Sequence, residues 1–326
     1  MANIILENDD VTATINPLVG LSSLVVRGKE RLYQSDQQGG VWNAGGINRP
    51  DPLIFPNFGG LQTAAELFAG NSNIEFTGEF YLVNGKTFKP KQMVYCYQGQ
   101  YFSLPGHGLS RAQALNGELK IVDASKTSCL MRVTSTPTTR EQYPFDYEHD
   151  VEVSLTEDGI IKVQTVRTED EEMLFSIADH TAFKVDAPIG EYTIVFEGQS
   201  GPLWLVLPSG LEVPITNNRL DLNEGLIQND VTLTFRGYNA DVCRLYKSEQ
   251  LEMVYDTTAA NFFIWTADRD NFICLEPANG AYFALNDISG SLKRGTLLTA
   301  SPEKPFSLTR RIAFPENPEQ LGKRVG

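Results

Sequence analysis

Apolar and polar side chains alternate with a period of two along most of the chain, the pattern of half-buried strands rather than of helices. Phe145, Tyr147, Val151 and Val153 alternate with Asp146, Glu148, Asp150 and Glu152, and Glu157-Asp158-Gly159 supplies a turn before Ile161, Val163 and Thr165. This predicts a hairpin with one wet face. Further strands are predicted over 11–15, 21–26, 80–83, 119–122, 129–133, 192–196, 204–207, 231–235, 262–265 and 272–275, punctuated by Gly, Pro, Asn and Asp. Helical patterning is confined to 61–69 and to two turns over 241–248 behind a capping aspartate. Strands throughout with so few helices predict an all-β fold of large antiparallel sheets packed face to face. The Gly- and Pro-rich stretch 38–60 also carries Trp42, Ile47, Leu53, Ile54 and Phe55, so it reads as an ordered loop with apolar groups to bury. No repeat or low-complexity tract divides the chain, and residues 1–326 are read as one domain.

Composition narrows the function. With 41% hydrophobic and 10% aromatic residues the chain can bury a substantial core. Twenty-seven basic against 41 acidic residues leave a net charge of −14, which repels a polyphosphate backbone and an anionic membrane surface, so neither nucleic acid nor membrane is an expected partner. Neutral small molecules suit this field better. Cys96, Cys129, Cys243 and Cys274 match neither a redox motif nor a zinc-ligand spacing, and are read as reduced core thiols. The first residues lack a basic leader with an apolar stretch, and no apolar run reaches membrane-spanning length, so the cytoplasm is the expected compartment.

Three histidines are present, and each can be weighed separately. His149 continues the Phe145, Tyr147, Val151 face and reads as a hydrogen-bonded core residue. His107 lies in Pro-Gly-His-Gly, where flanking glycines let a ligand approach the backbone; a pocket and a solvent-exposed turn both fit. His180 shares a strand face with the small residues Ser176, Ala178 and Ala182, opposite Phe175, Ile177 and Phe183, which leaves room for a ligand. Glu276 ends an almost wholly apolar run, and Pro277 after it predicts that ladder pairing stops and the carboxylate emerges at a sheet rim, where a surface glutamate and a base with its pKa raised by partial burial both fit. Two histidines and a carboxylate can bind divalent iron, but nothing in their spacing is diagnostic, and no metal is expected.

Taken in order, five segments resemble the aldose 1-epimerase (mutarotase) family: Pro52-Leu-Ile-Phe-Pro56, Gly106-His-Gly-Leu-Ser-Arg111, Tyr143-Pro-Phe-Asp146, Phe175-Ser-Ile-Ala-Asp-His180-Thr-Ala-Phe183 and Cys274-Leu-Glu-Pro277. The resemblance implies a β-supersandwich of galactose mutarotase type and cofactor-independent interconversion of the α and β anomers of a free sugar. It assigns Glu276 as general base, His180 as general acid, and His107 as the histidine that binds and polarises the sugar. Asp230 and Arg111 are carried over as substrate-binding residues, Asp230 on position alone. There are departures. Asn57-Phe-Gly-Gly60 stands where many members place an arginine, Asp179 and Thr181 replace a common glycine and proline around the acid histidine, and Leu109 replaces phenylalanine. Asn57-Phe58-Gly59 is also similar to the loop of hexose-6-phosphate 1-epimerases, in which Arg111, Lys89 and Lys91 would serve a phosphate.

The leading expectation is therefore a mutarotase acting on a sugar as monomer or homodimer. The alternatives are a hexose-6-phosphate 1-epimerase and a non-catalytic carbohydrate-binding protein that stacks sugar on Trp42 and Trp265. A glycoside hydrolase needs a second carboxylate roughly 5–9.5 Å from the first, and the sequence offers Glu276 no evident partner.

Overall fold

The computed structural model describes residues 2–35, 43–44, 47–72, 74–280 and 297–316. Two antiparallel sheets dominate. The larger has nine strands in the order Lys120–Ala124, Ser128–Thr134, Glu148–Leu155, Gly159–Arg167, Phe306–Ala313, Gln250–Asp256, Val242–Lys247, Tyr192–Glu197 and Arg219–Asp221. The second runs Ile177–Ala178, Phe272–Asn279, Asn261–Trp265, Leu233–Arg236, Trp204–Val206, Glu212–Pro214, and Thr181–Lys184 also pairs with Phe272–Asn279. A four-stranded N-terminal sheet, Ile4–Glu7 to Lys29–Glu30, completes the main core. Met131, Val151, Ile160, Ile194 and Tyr255 of the large sheet pack in one cluster with Leu233, Phe262, Ile264, Ile273 and Leu275 of the second and with Leu6, Ile15 and Leu24 of the N-terminal sheet. Alternation along each strand puts these residues on the facing surfaces. The fold is an all-β supersandwich.

The predicted strands form, and all four cysteines are free and buried. The predicted helix at 61–69 shortens to Ala64–Phe68, opened by a capping box between Thr63 and Glu66. Leu53, Ile54 and Phe55 are buried as their loop requires, whereas Trp42 and the side chain of Ile47 lie outside the described residues. No helix is long and apolar enough to cross a membrane among the described residues.

Two expectations are corrected. Residues 241–248 form no helix: Val242–Lys247 is a strand held on both sides, by Tyr192–Glu197 and Gln250–Asp256, with Cys243 and Leu245 buried. Cross-strand pairing there overrides a short local helical signal. On Gly159–Arg167 the buried face is Ile160, Lys162, Gln164 and Val166, not Ile161, Val163 and Thr165. Two polar residues occupy core positions because their head groups find partners there, as described below.

Candidate active site

Phe272–Asn279 is the central strand of the site. Ile273 and Leu275 turn into the core between the sheets, so Cys274 and Glu276 turn to the opposite face. Glu276 does not emerge at a rim: it is 2% exposed, and the ladder continues past Pro277 to Asn279. Proline removes one donor only, and its carbonyl still accepts from the Asp179 N–H at 3.2 Å.

The facing strand is interrupted at Asp179-His180, yet Ala178↔Ala278 and Thr181↔Leu275 belong to one register. His180 is thereby set directly across from Glu276, with Nδ1 3.4 Å from Oε1. Both residues are buried, and Oε1 accepts no hydrogen bond from the described residues.

His107 comes from a loop wedged against the cis Phe55-Pro56 segment. Gly108 has φ of 77°, and a Cβ there would lie 2.3 Å from the Phe55 carbonyl oxygen, so only glycine permits this approach. That oxygen accepts from the N–H groups of Leu109 and Ser110 at 2.7 and 3.0 Å. His107 itself is left-handed (φ 63°), and its Nδ1 accepts from the Gly59 N–H at 3.3 Å, which leaves the ring proton on Nε2. The His107 and His180 rings meet edge to face with centroids 4.9 Å apart, and Trp265 abuts His180 at 5.8 Å.

These side chains line one cavity of about 220 Å³, with Arg49, Pro52, Phe58, Gly59, Gly60, Arg111 and Thr232 completing the wall. The volume is below the roughly 300–1,000 Å³ of drug-sized pockets and suits one small ligand. Burial sets its electrostatics. It lowers the His107 pKa to about 4, helped by the Arg111 charge. It lowers His180 well below the usual imidazole range, helped by His107 and Arg111, and raises Glu276 well above the usual carboxylate range. Burial thus favours uncharged imidazoles and, in the His180–Glu276 pair, a proton on the carboxyl group. Burial also lowers the Arg49 and Arg111 guanidinium pKa values, Arg111 further through repulsion by Arg49.

Of the predicted residues, Glu276, His180, His107 and Arg111 converge on this cavity, whereas Asp230 does not. Asp230 is exposed in a left-handed turn (φ 61°) whose N–H donates to the Thr266 carbonyl at 2.7 Å, and Thr232, two residues on, lines the wall instead. Lys89 and Lys91 are exposed and outside the lining. Trp265 is in place; Trp42 falls outside the described residues. Sequence reasoning missed Arg49 and Thr232. Arg49 had one signal, a cation beside the rigid Pro50-Asp51-Pro52 run. His149 is the expected core histidine: Ser110 Oγ donates to Nδ1 at 2.9 Å and Nε2 donates to Gln164 Oε1 at 3.1 Å.

One donor group could hold a metal among the described residues: His180, Cys274 and Glu276, whose ligand atoms lie within 4.8 Å of one another. The set fits poorly. Burial pushes both the Cys274 thiol and the Glu276 carboxyl well up, so a cation would have to displace two firmly held protons.

The fold recurs in solved structures of low sequence identity. A galactose mutarotase-like protein from Lactobacillus casei superposes with a TM-score of 0.73 at 18% identity, covering 96% of this chain and 100% of that one. A galactose mutarotase related enzyme from Lactobacillus acidophilus gives 0.71 at 17%, covering 97% and 98%. Galactose 1-epimerase from Lactobacillus acidophilus gives 0.61 at 11%, covering 96% and 94%. No curated protein matches the sequence significantly. The aldose 1-epimerase family model matches residues 83–303, a span that includes His107, His180 and Glu276, and the chain belongs to the aldose 1-epimerase family.

Proposed function

We propose that the protein is an aldose 1-epimerase that interconverts the α and β anomers of a sugar by opening and reclosing its ring, without a cofactor. The observation that carries this reading is the apposition of His180 and Glu276 across one ladder, inside a cavity that His107 also lines. Glu276 takes the proton of the C1 hydroxyl while His180 donates one to the ring oxygen, which opens the hemiacetal to an aldehyde. Rotation about C1–C2 presents the other carbonyl face, and closure with the roles reversed yields the other anomer. Each proton transfer contributes roughly 10²–10⁴-fold, enough for a reaction that already proceeds slowly in water.

The protonation states require one adjustment. Catalysis needs a carboxylate and an imidazolium, whereas burial favours the neutral pair with the same single proton. Sugar hydroxyls donating to Oε1, which accepts nothing from the described residues, stabilise the carboxylate when substrate binds. His107, with its proton on Nε2, acts as a neutral donor to a sugar oxygen.

A second reading is favoured by the two arginines. Arg49 and Arg111 line the same small cavity and repel one another, and an anion between them would relieve that repulsion. This favours a sugar phosphate, as in a hexose-6-phosphate 1-epimerase.

Polarimetry on freshly dissolved α-glucose, α-galactose and their 6-phosphates, with Glu276→Gln and His180→Asn as controls, tests both readings. Acceleration that both variants lose supports the epimerase, and the preferred substrate decides between free and phosphorylated sugar. Binding without acceleration would leave a carbohydrate-binding protein.

A further inference from the structure

Lys162 is 4% exposed on Gly159–Arg167, an interior strand of the large sheet, where an apolar side chain would be expected. Its ammonium donates to Asp51 Oδ1 and Oδ2, both at 2.9 Å, and lies 2.7 Å from Asp179 Oδ1. Asp179 also accepts from Gln164 Nε2 and the Tyr255 hydroxyl, each at 2.8 Å, and its Oδ2 lies 3.3 Å from Arg310 Nε. Asp51 Oδ1 accepts from the Thr181 hydroxyl at 2.7 Å. Two cations thus balance two anions, all four buried.

The placement of the two carboxylates is what matters. Asp179 and Thr181 flank His180 on the strand, and Asp51 sits between Arg49 and Pro52, both of which line the cavity. The Asp and Thr that depart from the family's usual glycine and proline are therefore both members of this network. Backbone bonds already hold the two segments together, with the Ala182 N–H donating to the Pro50 carbonyl at 2.7 Å and a bridge between Ile54 and Ala178. The ion bridge adds a link from that pair of segments to the large sheet. For stability alone it contributes little, because well-packed apolar residues often replace a buried ion group with no loss.

We propose that Lys162, with Asp51, Asp179 and Thr181, is a positioning device: it fixes the Arg49–Pro52 wall beside the His180–Glu276 pair, so that the cavity keeps the shape that binds sugar. The inference rests on the epimerase reading. Loosening the Asp51 end moves the wall and not the acid and base, and so weakens substrate binding more than turnover.

The experiment compares Asp51→Asn, Thr181→Val and the hydroxyl-restoring Thr181→Ser on whichever of α-glucose, α-galactose and their 6-phosphates the parent turns over. Asp51→Asn is expected to raise KM about 5- to 10-fold with kcat within about twofold, the signature of lost binding that ground state and transition state share. Thr181→Val should shift KM in the same direction by less, and Thr181→Ser should restore it. Partial unfolding would instead lower kcat and leave KM alone. Parent KM in both folded variants, or losses that track the unfolded fraction, would overturn the proposal. Should Asp51→Asn not fold, the Thr181 pair decides by the same criterion. If the parent turns over none of these sugars, the epimerase reading fails, and the bridge is judged by NMR of the Arg49 side chain on the wall. Arg49 Nε–H signals that move in Thr181→Val and return in Thr181→Ser support it; an unmoved Arg49 signal in Thr181→Val sinks it.

Discussion

His180 and Glu276 face one another across an antiparallel ladder, Nδ1 3.4 Å from Oε1, at the one place where the facing strand is interrupted. On its other side Glu276 is paired with Phe263. Register, rather than loop conformation, therefore sets the spacing of this imidazole and carboxyl, and a register slip would separate them.

Glu276→Gln should abolish most activity, by roughly 10²–10⁴-fold, yet stabilise the protein at neutral pH. Burial raises this carboxyl well above its ordinary value. A raised acid contributes stability that is fully present below the unfolded value and is lost as pH rises, because the unfolded chain ionises and the folded one resists. Glutamine carries no such loss. Thermal melts should show the variant melting higher at pH 8 and the gain fading towards pH 4.

The pH profile of kcat/KM should be bell-shaped. Turnover requires one proton shared by Glu276 and His180; a second proton at low pH or its removal at high pH stops the reaction. Because burial moves His180 down and Glu276 up, the plateau between the limbs should be broad. A profile with no fall on the acid side would remove His180 from the mechanism.

Acid should destabilise the fold through its buried imidazoles. His107 and His149 both drop from 6.5 to about 4, mainly by burial. A depressed base contributes stability that is present above the unfolded value and lost as pH falls through the window from 6.5 to about 4. The loss is about 3 kcal/mol for each group over the full window. Urea midpoints should fall between pH 7 and pH 4.5, and less steeply in His149→Gln.

Gly108→Ala should cost about 3 kcal/mol or more, since the new methyl would meet the Phe55 carbonyl in a backbone region reserved for glycine. The melting temperature reads the loss. Because Gly108 adjoins His107, kcat/KM should fall even where the variant is fully folded.

Arg49→Ala and Arg111→Ala should each raise KM for the 6-phosphates more than for the free sugars, and inorganic phosphate should inhibit competitively. Equal effects on both substrate sets would return Arg49 and Arg111 to the role of neutral-sugar contacts.

The strands were legible because period-two alternation follows from burial of one face, and His180 and Glu276 were legible because each sat in an apolar run with a chemical reason to be there. The errors share a cause. Alternation alone points Ile161, Val163 and Thr165 inward because sequence cannot show that Lys162 and Gln164 meet Asp51 and Asp179, over a hundred positions away in the case of Asp51. Pro277 reads as a strand end because the Asp179 N–H whose hydrogen bond its carbonyl accepts is likewise remote in sequence. Arg49 and Thr232 reach the cavity, and Asp230 misses it, through turns whose direction no local pattern encodes.

The four sheltered thiols give the molecule a built-in clock. Cys274 shares a strand face with Glu276 and is wholly inaccessible, so an alkylating reagent reaches it only when that strand comes loose. Its labelling rate in native buffer, slowed by any sugar that occupies the cavity, would time the opening of the strand that carries Glu276 without a reporter having to be introduced.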